Sequence, residues 1–515
     1  MCTQRSPEIC RRTRRCSYTN GPTRKFCRLS NEYKMVPPTC ITRRRYTKKR
    51  AATHIQRIVR SRQTRLEPTT LSTRRGPATP EIREFHTKVQ ARRLVRFMKR
   101  VDPDKRRAAF LNGICSDAGV CIAFGKETAT IKKHFDHFAN FHRLAIPAKR
   151  VGAVSENGFV YELTYQNAGY TAHAILKSSS SPEADNLYYE YLVGQFLNAR
   201  SRRFPCFVET YGMFSYKNDR IYNRMKSVKN VPGAVLAEGI EPYDTATGIT
   251  ASCVSPVMTS VLIQHIHDAK TLDDKCSDRT FAFRELMYLL FQVYMPLAEM
   301  AVEFTHYDLH AGNVLVYEPV KGAYIHYHYH MKNNAVVSFR SSYIAKIIDY
   351  GRAFFHDTSN PGPDGSSRRI YDAVCKTADC EPDCGKTRGY GWLEPITNKT
   401  ARKSYYISSQ THNVSHDLRL LTIIKTLPYM EIYNPNVFAL CSTVKYNIPY
   451  GTQEDTKSGL PMQIRNVRDA CMALQTHIES PMSIAENDTH YVGKTRLGDM
   501  HVYSDGRPLR FVANV

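Results

Sequence analysis

The sequence predicts an α+β protein in two lobes, one rich in strands and the next rich in helices, preceded by a basic arm. Between residues 150 and 270, short runs of apolar residues alternate as strands do around one helical stretch. From about residue 279 helical spacing dominates. The formal charge of +26 lies at one end, because residues 1–107 carry 31 Lys and Arg against 7 Asp and Glu, and the remainder carries 42 against 40.

The arm comprises residues 1–80 and contains basic runs such as RRTRR and TRRRYTKKR. Too few apolar residues accompany these charges to offset the entropy of ordering, so we expect a largely disordered segment. Its charge favours nucleic acid, an anionic membrane surface or an acidic protein as partner, and it also fits a tail that only solubilises the protein. Residues 55–65, IQRIVRSRQTR, match a calmodulin-binding IQ motif, although a basic helix packing on its own chain fits them better.

Four further segments follow the arm. Residues 81–149 form a basic helix and a small α+β lead-in, 150–270 the strand-rich lobe, 271–430 the helical lobe, and 431–515 an extension of unknown role. In the extension, GDMHVYSDGRPLRF has the Asp-Gly turn signal of a strand pair. The apolar stretch LMYLLFQVYMPLAEMAVEF contains Gln, Pro and Glu, which lipid tolerates poorly, so we expect a buried helix and no membrane span.

Cysteine usage indicates the compartment. The fifteen Cys show no small-domain disulfide pattern, and the N-terminus lacks the apolar core of a secretory signal. We therefore expect an intracellular protein with reduced thiols. Cys375, Cys380 and Cys384 lie close together but without Cys-x-x-Cys spacing, so free thiols are expected more than a metal site.

A second group of potential metal ligands is the run YIHYHYH. Successive side chains of a strand point to opposite faces, so His326, His328 and His330 share one face. Three His on one face fit zinc, but an ordinary solvated hairpin is the more common outcome.

The stretch FTHYDLHAGNVLVYE brings His306, Asp308 and Asn313 close together in sequence, and Asp349 follows an apolar run in KIIDYG. The Gly after Asp349 permits a sharp turn. Magnesium prefers hard oxygen ligands and is usually held by one or two carboxylates together with substrate phosphates. Asn313 and Asp349 are therefore candidate magnesium ligands, and Asp308 is left to orient a hydroxyl and accept its proton.

HYDLHAGNVLV and IIDYG resemble the catalytic loop and the metal-binding Asp-Phe-Gly segment of the protein-kinase superfamily. The resemblance implies a bilobal protein-kinase-like fold, ATP and Mg²⁺ as cofactors, and phosphoryl transfer to a hydroxyl. Upstream, AILKSS resembles the third kinase strand, which implies that Lys177 binds the nucleotide phosphates. NLYYEYL offers Glu190 as the helix partner of Lys177, with Glu183 as a rival on the same predicted helix.

Two other segments resemble nucleotide-binding parts of kinases. GAVSENGFVYEL stands in the place of the Gly-rich loop and keeps Gly152 and Gly158 of its pattern. SVLIQHIHDAKTL resembles the strand and hinge that hold adenine, which implies backbone contacts from four residues. These four residues are Gln264, His265, Ile266 and His267.

The resemblance also implies supporting residues. VSHDLRLL resembles the helix whose Asp steadies the catalytic loop, so Asp417 is expected to support that loop together with His306. His310 is implied to lie near the transferred phosphoryl group, where kinases usually have Lys. A neutral His there donates a hydrogen bond without a full charge.

The chain departs from the usual kinase pattern in two places. Tyr307 replaces the Arg of His-Arg-Asp, so an activation-loop phosphate lacks its usual docking cation, and no Ala-Pro-Glu segment follows Asp349. Haspin-like kinases share the His after the catalytic Asp, the Tyr of the metal segment and extra sequence between the two motifs. Aminoglycoside and choline phosphotransferases share the Asp-Leu-His-x-x-Asn pattern. Over its greater length the chain resembles uncharacterised kinase-like proteins of giant DNA viruses.

Three functions stay open at this point. The first is a serine/threonine protein kinase of viral origin that uses ATP and Mg²⁺, located in the host cytoplasm or the virion. The second is an inactive pseudokinase scaffold that binds nucleic acid or protein through its basic arm. The third is a small-molecule kinase of the aminoglycoside or choline type. The sequence does not name the acceptor.

Overall fold

The computed structural model describes residues 16–20, 25–29, 128–152, 154, 158–167, 170–180, 186–245, 258–266, 268–374, 411–445 and 463–513. These residues form a mixed α and β protein, as the sequence predicts at this coarser level. The basic helix after residue 80 and the IQ-like segment lie outside them. So do five residues singled out from the sequence: Glu183, His267, Cys375, Cys380 and Cys384.

A seven-stranded antiparallel sheet is built from the first half of the described chain, in the spatial order β7-β3-β4-β5-β9-β6-β8. Its strands are β3 (Ala148–Val151), β4 (Gly158–Asn167), β5 (Tyr170–Ser179), β6 (Thr210–Tyr216), β7 (Asn230–Val231), β8 (Ile240–Pro242) and β9 (Thr259–Gln264). Side chains of β4 alternate in burial, so Tyr161, Leu163 and Tyr165 point into the core on one face. Phe138 and Phe141 of the lead-in pack against the same core.

Within the described residues, four α-helices accompany this sheet: α1 (Thr128–His134), α2 (Leu187–Arg200), α3 (Asp219–Ser227) and α4 (Gly233–Gly239). The sequence predicted only α2 between residues 151 and 266. The helices α3 and α4 were missed because nine and seven residues span too few turns for a periodic pattern to stand out. In α3 only Tyr222 and Met225 are buried, and the side chain of Asn218 caps its first turn. An arm hairpin that the sequence did not predict pairs β1 (Cys16–Asn20) with β2 (Lys25–Leu29).

Helices dominate the second half. Their bounds are α5 (Leu272–Cys276), α6 (Arg279–Arg284), α7 (Leu286–Glu299), α8 (Ser367–Val374), α9 (Arg419–Thr426), α10 (Met430–Tyr433), α11 (Pro435–Ser442), α12 (Val467–Ile478) and α13 (Pro481–His490). Every residue of α7 from Leu286 to Leu297 is buried, which confirms the predicted buried helix. Among the described residues, no helix combines the length and apolarity that a bilayer span requires.

A four-stranded sheet joins the segment inserted between the two motifs to the C-terminal extension. Its strands are β13 (Tyr324–His330), β14 (Val336–Ser341), β17 (Arg496–Tyr503) and β18 (Arg510–Ala513). The predicted pairing of the last two strands is present, and β17 lies parallel to β13 in the middle of the sheet. Tyr327 and Tyr329 are buried on one face of β13, and Phe291 of α7 packs edge-on against Tyr329. The extension is therefore part of the helical core.

Short ladders bring the segments FTHYDLHAGNVLVYE and KIIDYG together. Strand β12 (Val314–Tyr317) pairs with β15 (Ile344–Ile347) and with β10 (Lys270–Thr271). Strand β11 (Phe304–Thr305) pairs with β16 (Phe354–Phe355). Val314 lies opposite Ile347 in this ladder. Asn313, which directly precedes Val314, and Asp349, which follows Ile347 by two positions, therefore lie at the same end of the ladder.

Gly158→Ala is expected to destabilise the protein more than Gly152→Ala. A Cβ at Gly158 would collide with the backbone oxygen of Ser178 on the neighbouring strand, whereas one at Gly152 would meet open space. Gly152 has a φ of +68°, so Ala there costs only the strain of a left-handed backbone, roughly 1 kcal/mol. Thermal unfolding of the two variants tests this, and equal loss of stability would contradict the close approach of β4 and β5.

Candidate functional site

Lys177 joins two acidic residues that lie far apart in the sequence. Its Nζ is 2.8 Å from Glu190 Oε2 and 2.8 Å from Asp349 Oδ1. Ala174 and Leu176 of β5 point into the sheet's core, so alternation directs Lys177 to the opposite face. The helix α2 starts at the cap of Asn186 and supplies Glu190, which is only 3% exposed. A carboxylate this buried requires a cation partner, and Lys177 provides it.

Asp349 is ionised because of this contact. The Lys177 ammonium lowers the pKa of Asp349 to about 2, although burial alone would raise it. The backbone of Asp349 has a φ of +67°, a left-handed conformation that is uncommon outside Gly, although Asp and Asn tolerate it better than other residues. Such a conformation persists where the surroundings fix the residue, and the two-sided contact of Lys177 is one such constraint.

Asp417 holds the backbone of the loop that contains Asp308. Its carboxylate accepts hydrogen bonds from the N–H of His306 at 2.8 Å and the N–H of Tyr307 at 3.0 Å. Burial raises the pKa of Asp417, and these two N–H donors act in the opposite direction. Tyr307 has a φ of +62° and donates its hydroxyl proton to the carbonyl of Thr411. The loop is thus fixed from α9's N-terminal side before any ligand binds.

The ring of His306 also supports this loop. His306 is fully buried, and its Nε2 lies 3.0 Å from the carbonyl of Ile348, directly before Asp349. Since a carbonyl only accepts, Nε2 carries the proton, and Nδ1 is then the acceptor for the N–H of Asp308 at 3.3 Å. His306 therefore links the two motifs through their backbones, next to the residues that the sequence assigned to chemistry.

Two arginines flank Asp308. Arg419 Nη1 lies 2.6 Å from Asp308 Oδ1, and Arg352 Nη1 lies 3.7 Å from Asp308 Oδ2. Neither Arg was predicted from the sequence. The sequence does place each Arg close to a predicted site residue: Arg419 follows Asp417 by two positions, and Arg352 follows Asp349 by three. Asp308 therefore lies in a positively charged environment that suits an anionic substrate.

Asn313 and Asp349 offer the oxygen atoms that a magnesium ion needs. Asn313 Nδ2 donates to the carbonyl of Asp308 at 3.0 Å, which turns its Oδ1 away from that contact. In the described part of the chain, no residue donates a hydrogen bond to Asn313 Oδ1 or to Asp349 Oδ2. An amide oxygen and an ionised carboxylate oxygen at one edge of the ladder fit the hard-ligand preference of Mg²⁺. The residues present therefore fit this ion.

His310 lies beside Asp308 as a neutral ring. Burial lowers the pKa of His310, although the charge of Asp308 acts in the opposite direction. Its Nδ1 accepts the N–H of Gly312 at 3.1 Å, so Nε2 carries the proton. His310 can therefore donate one hydrogen bond but supplies no full charge at neutral pH. The full positive charges around Asp308 come from Arg419 and Arg352.

The residues assigned to the nucleotide base are placed less favourably. The N–H of Gln264 donates to the carbonyl of Glu209 at 2.8 Å, so strand pairing already uses it. The N–H of His265 makes a long contact of 3.4 Å to the carbonyl of His173, and the carbonyl of Ile266 accepts from Ala269 at 3.3 Å. Gln264 Oε1 is buried and has no hydrogen-bond partner among the described residues. A buried acceptor of this kind calls for a donor from water or a ligand.

Different structural features account for glycine at positions 152 and 158, the two candidate positions of the phosphate loop. Gly152 directly follows β3 and Gly158 begins β4, so both flank the turn expected to cover the phosphates. The close approach of Ser178 already requires Gly at position 158, whether or not a nucleotide binds. Gly152 has a left-handed backbone and open space beside it, which suits a turn or a close ligand.

No protein-family model matches the chain. A search of curated proteins finds no significant match either. What relates this site to any known class is therefore the set of motifs and the geometry described above.

Proposed function

We propose that the chain is a phosphotransferase with a two-lobed, protein-kinase-like fold that transfers the γ-phosphoryl group of ATP to a protein Ser or Thr hydroxyl. The observation that carries the proposal is the double contact of Lys177 with Glu190 and Asp349, at 2.8 Å each. These residues come from three distant parts of the chain. They meet in the chain order that the resemblance to kinases implies, and the charges of Asp308 and Asp349 both act on His310.

The proposed fold assigns each part of the site to one lobe. The seven-stranded sheet and α2 hold Lys177 and Glu190, and the helical part holds Asp308 and Asp349. A nucleotide held between them would meet the Lys177 ammonium from one side and the loop of Asp308 from the other. The resemblance to kinase-like proteins of giant DNA viruses supports a viral origin.

In this proposal, Lys177 and the magnesium ion held by its ligands bind the phosphates. In this proposal Lys177 keeps Glu190 as its partner and turns its remaining N–H donors toward the phosphates, because an ammonium has three donors. Asn313 and Asp349 hold Mg²⁺, which when bound neutralises charge on the phosphate oxygens. Gln264 Oε1, which is buried without a hydrogen-bond partner among the described residues, would in this proposal accept a hydrogen bond from an amino group of the base.

The chemical step needs alignment more than covalent catalysis. The acceptor oxygen forms a bond to the γ-phosphorus while the bond from that phosphorus to the β,γ-bridging oxygen breaks. Asp308 orients the acceptor hydroxyl and takes its proton, and ADP leaves with the bridging oxygen. Arg419 contacts Asp308 and adds positive charge where the neutral His310 cannot.

A specific observation also favours a second candidate, a catalytically inactive scaffold. Arg419 lies 2.6 Å from Asp308, so the proposed base is engaged with a cation in this structure. The basic arm, with 31 Lys and Arg in residues 1–107, would then recruit nucleic acid or an acidic protein. A scaffold keeps its partner after loss of Asp308 and loses it when the arm is removed. A small-molecule kinase would instead consume ATP without labelling any protein.

Transfer of labelled γ-phosphate from ATP with Mg²⁺ to a mixture of basic proteins tests the proposed function. We expect label on Ser or Thr with the wild type and a loss of at least about a hundredfold with Asp308→Asn, since general-base and alignment effects contribute roughly 10²–10⁴-fold. Asp273→Asn, the same change at an exposed Asp outside the site, is the matched control and should retain full transfer.

Two results would reject the proposal. One is absence of transfer to any protein, including the chain itself, together with absence of magnesium-dependent ATP binding. The other is equal transfer by the wild type and Asp308→Asn, which would show that the label comes from a contaminating kinase. ATP consumption without protein labelling would point to a small-molecule acceptor and reject the protein-kinase assignment.

A further inference from the structure

We propose that the protein binds a zinc ion through His326, His328 and Asp499, on the solvent-facing side of the four-stranded sheet. This site is separate from the proposed phosphotransfer site and involves none of its residues. It lies where the inserted hairpin meets the C-terminal extension, because His326 and His328 belong to β13 and Asp499 to β17.

The parallel register of β13 and β17 creates the cluster. His326 lies opposite Asp499, and the His328 ring reaches the same carboxylate. His326 Nδ1 is 3.6 Å and His328 Nε2 is 2.9 Å from Asp499 Oδ1. Ligand atoms about 2.0–2.1 Å from a tetrahedral zinc ion stand roughly 3.4 Å apart, so small side-chain rotations suffice. One ligand atom from each of the three residues lies within 4.8 Å of the others.

The sequence groups His326, His328 and His330 on one strand face. In the structure, Asp499 takes the place of His330 beside the other two. His330 Nε2 lies 3.1 Å from His501 Nδ1, and its ring stacks on Tyr503. His330 is therefore occupied at the far end of the strand. Asp499 was missed because it is 173 residues from His326, and only the pairing of β13 with β17 brings them together.

The second nitrogen of His328 has a hydrogen-bond partner, as the second nitrogen of a metal-binding His generally does. His328 Nδ1 lies 3.0 Å from Ser338 Oγ on the adjacent strand β14. A hydroxyl both donates and accepts, so it allows either tautomer of the ring. Without metal, Nε2–H donates to Asp499. With metal, the ring would take the other tautomer: its single proton moves from Nε2 to Nδ1 by exchange with solvent, Nδ1–H donates to Ser338, and the Nε2 lone pair faces the ion.

Ligand chemistry selects zinc over magnesium. Two imidazoles and one carboxylate suit borderline metals, whereas Mg²⁺ prefers oxygen ligands alone. The three side chains are 19–24% exposed, so an ion can enter from solvent and keep a water as fourth ligand. Arg496 also contacts Asp499, and Arg340 lies opposite His326 on β14. These positive charges oppose the ion, so Arg496, which is 38% exposed, must turn outward when zinc binds.

Zinc bound here would connect the inserted hairpin to the C-terminal strand. Both elements pack on the helical core through their buried Tyr and Met side chains, such as Tyr327 and Met500. The expected consequence is mechanical: the ion would hold β17 in register with β13. We therefore expect zinc to raise the thermal midpoint of the wild type.

Zinc binding to the purified full chain, without nucleotide, tests this site. Competition with a chromogenic chelator gives the affinity, and elemental analysis counts the bound metal. We expect His328→Gln and Asp499→Asn each to remove one equivalent of zinc or weaken its binding at least about tenfold. Arg496→Gln should tighten binding severalfold, because it removes a competing cation. His142→Gln, at an exposed His far from the sheet, is the matched control and should change nothing.

Cobalt substitution makes the test independent of other zinc ligands in the chain. Co²⁺ in a site with two His and one Asp gives visible d–d absorption, which should disappear in His328→Gln. His326→Gln serves as a further variant in case Asp499→Asn does not fold, as judged by its unfolding curve. If the three ligand variants all bind as much zinc as the wild type with unchanged affinity, the site does not exist. Failure here leaves the phosphotransfer assay unaffected, since that assay involves other residues.

Discussion

Asp349→Asn is expected to abolish magnesium-dependent ATP binding and, with it, phosphoryl transfer. The change keeps the size of the side chain but removes the charge that pairs with Lys177 at 2.8 Å and that would face the metal. An amide is a much poorer ligand than an ionised carboxylate for a hard divalent cation. We expect at least about a hundredfold weaker binding in the presence of Mg²⁺, by analogy with the cost of losing essential charge-bearing groups at active sites.

Titration calorimetry with ATP, with and without Mg²⁺, measures this effect. The part of the affinity that depends on Mg²⁺ should disappear in Asp349→Asn, whereas Asp273→Asn should bind like the wild type. Lys177 still has Glu190 in the variant, so weak metal-free binding should remain. Undiminished magnesium dependence in Asp349→Asn would contradict the assignment of Asp349 as a metal ligand.

The pH dependence of this binding has a defined sign. Lys177 lowers the pKa of Asp349 to about 2. Asp349 is therefore fully ionised at every pH above the pKa of an ordinary Asp side chain. Its contribution is lost only as the pH falls through about 2. Between pH 5 and 9 a change in magnesium affinity must therefore come from other groups, including the phosphates of ATP.

The strand pattern could be predicted from sequence because one face of each strand is buried. Alternation in β4 and in β13 corresponds directly to burial in the structure. The parallel pairing of β13 with β17 could not be predicted, since 165 residues separate the end of β13 from the start of β17. Pairing at that distance depends on tertiary packing, and no local propensity encodes it. The helices α3 and α4 were missed for a different reason, because nine and seven residues span too few turns for a periodic pattern to stand out.

Within the site, motif order was enough to select Lys177, Glu190 and Asp349, whose side chains lie in direct contact. It was not enough to find Arg419, because an Arg near a motif is common and only the fold directs it at Asp308. The hydrogen-bond partners of backbone N–H groups were the hardest feature of the site to predict. The N–H of Gln264 was assigned to a base, yet in the structure it pairs with Glu209. Such roles depend on strand register, which side-chain patterns do not determine.

Asp417→Ala is expected to lower both stability and phosphoryl transfer. It removes the acceptor of two backbone N–H groups, those of His306 and Tyr307, in a place where Asp417 itself is only 2% exposed. Leaving a buried donor without a partner costs about 1–3 kcal/mol, so we expect the free energy of unfolding to fall by roughly 3 kcal/mol. Chemical denaturation measures this loss, and the transfer assay measures the loss of activity.

The two effects of Asp417 can be separated with a second carboxylate that also accepts a backbone N–H. Asp469 lies in the first turn of α12 and accepts from the N–H of Arg465 at 3.0 Å and from Asn466 Nδ2 at 3.1 Å, neither of which belongs to the proposed site. Asp469→Ala should therefore lower stability modestly and leave transfer unchanged. Because Tyr307 is held with a φ of +62°, release of its N–H should let the loop relax and move Asp308 off the acceptor. If Asp417→Ala lost stability but kept full transfer at a temperature where it is folded, the loop would not need this support, and the positioning role of Asp417 would be wrong.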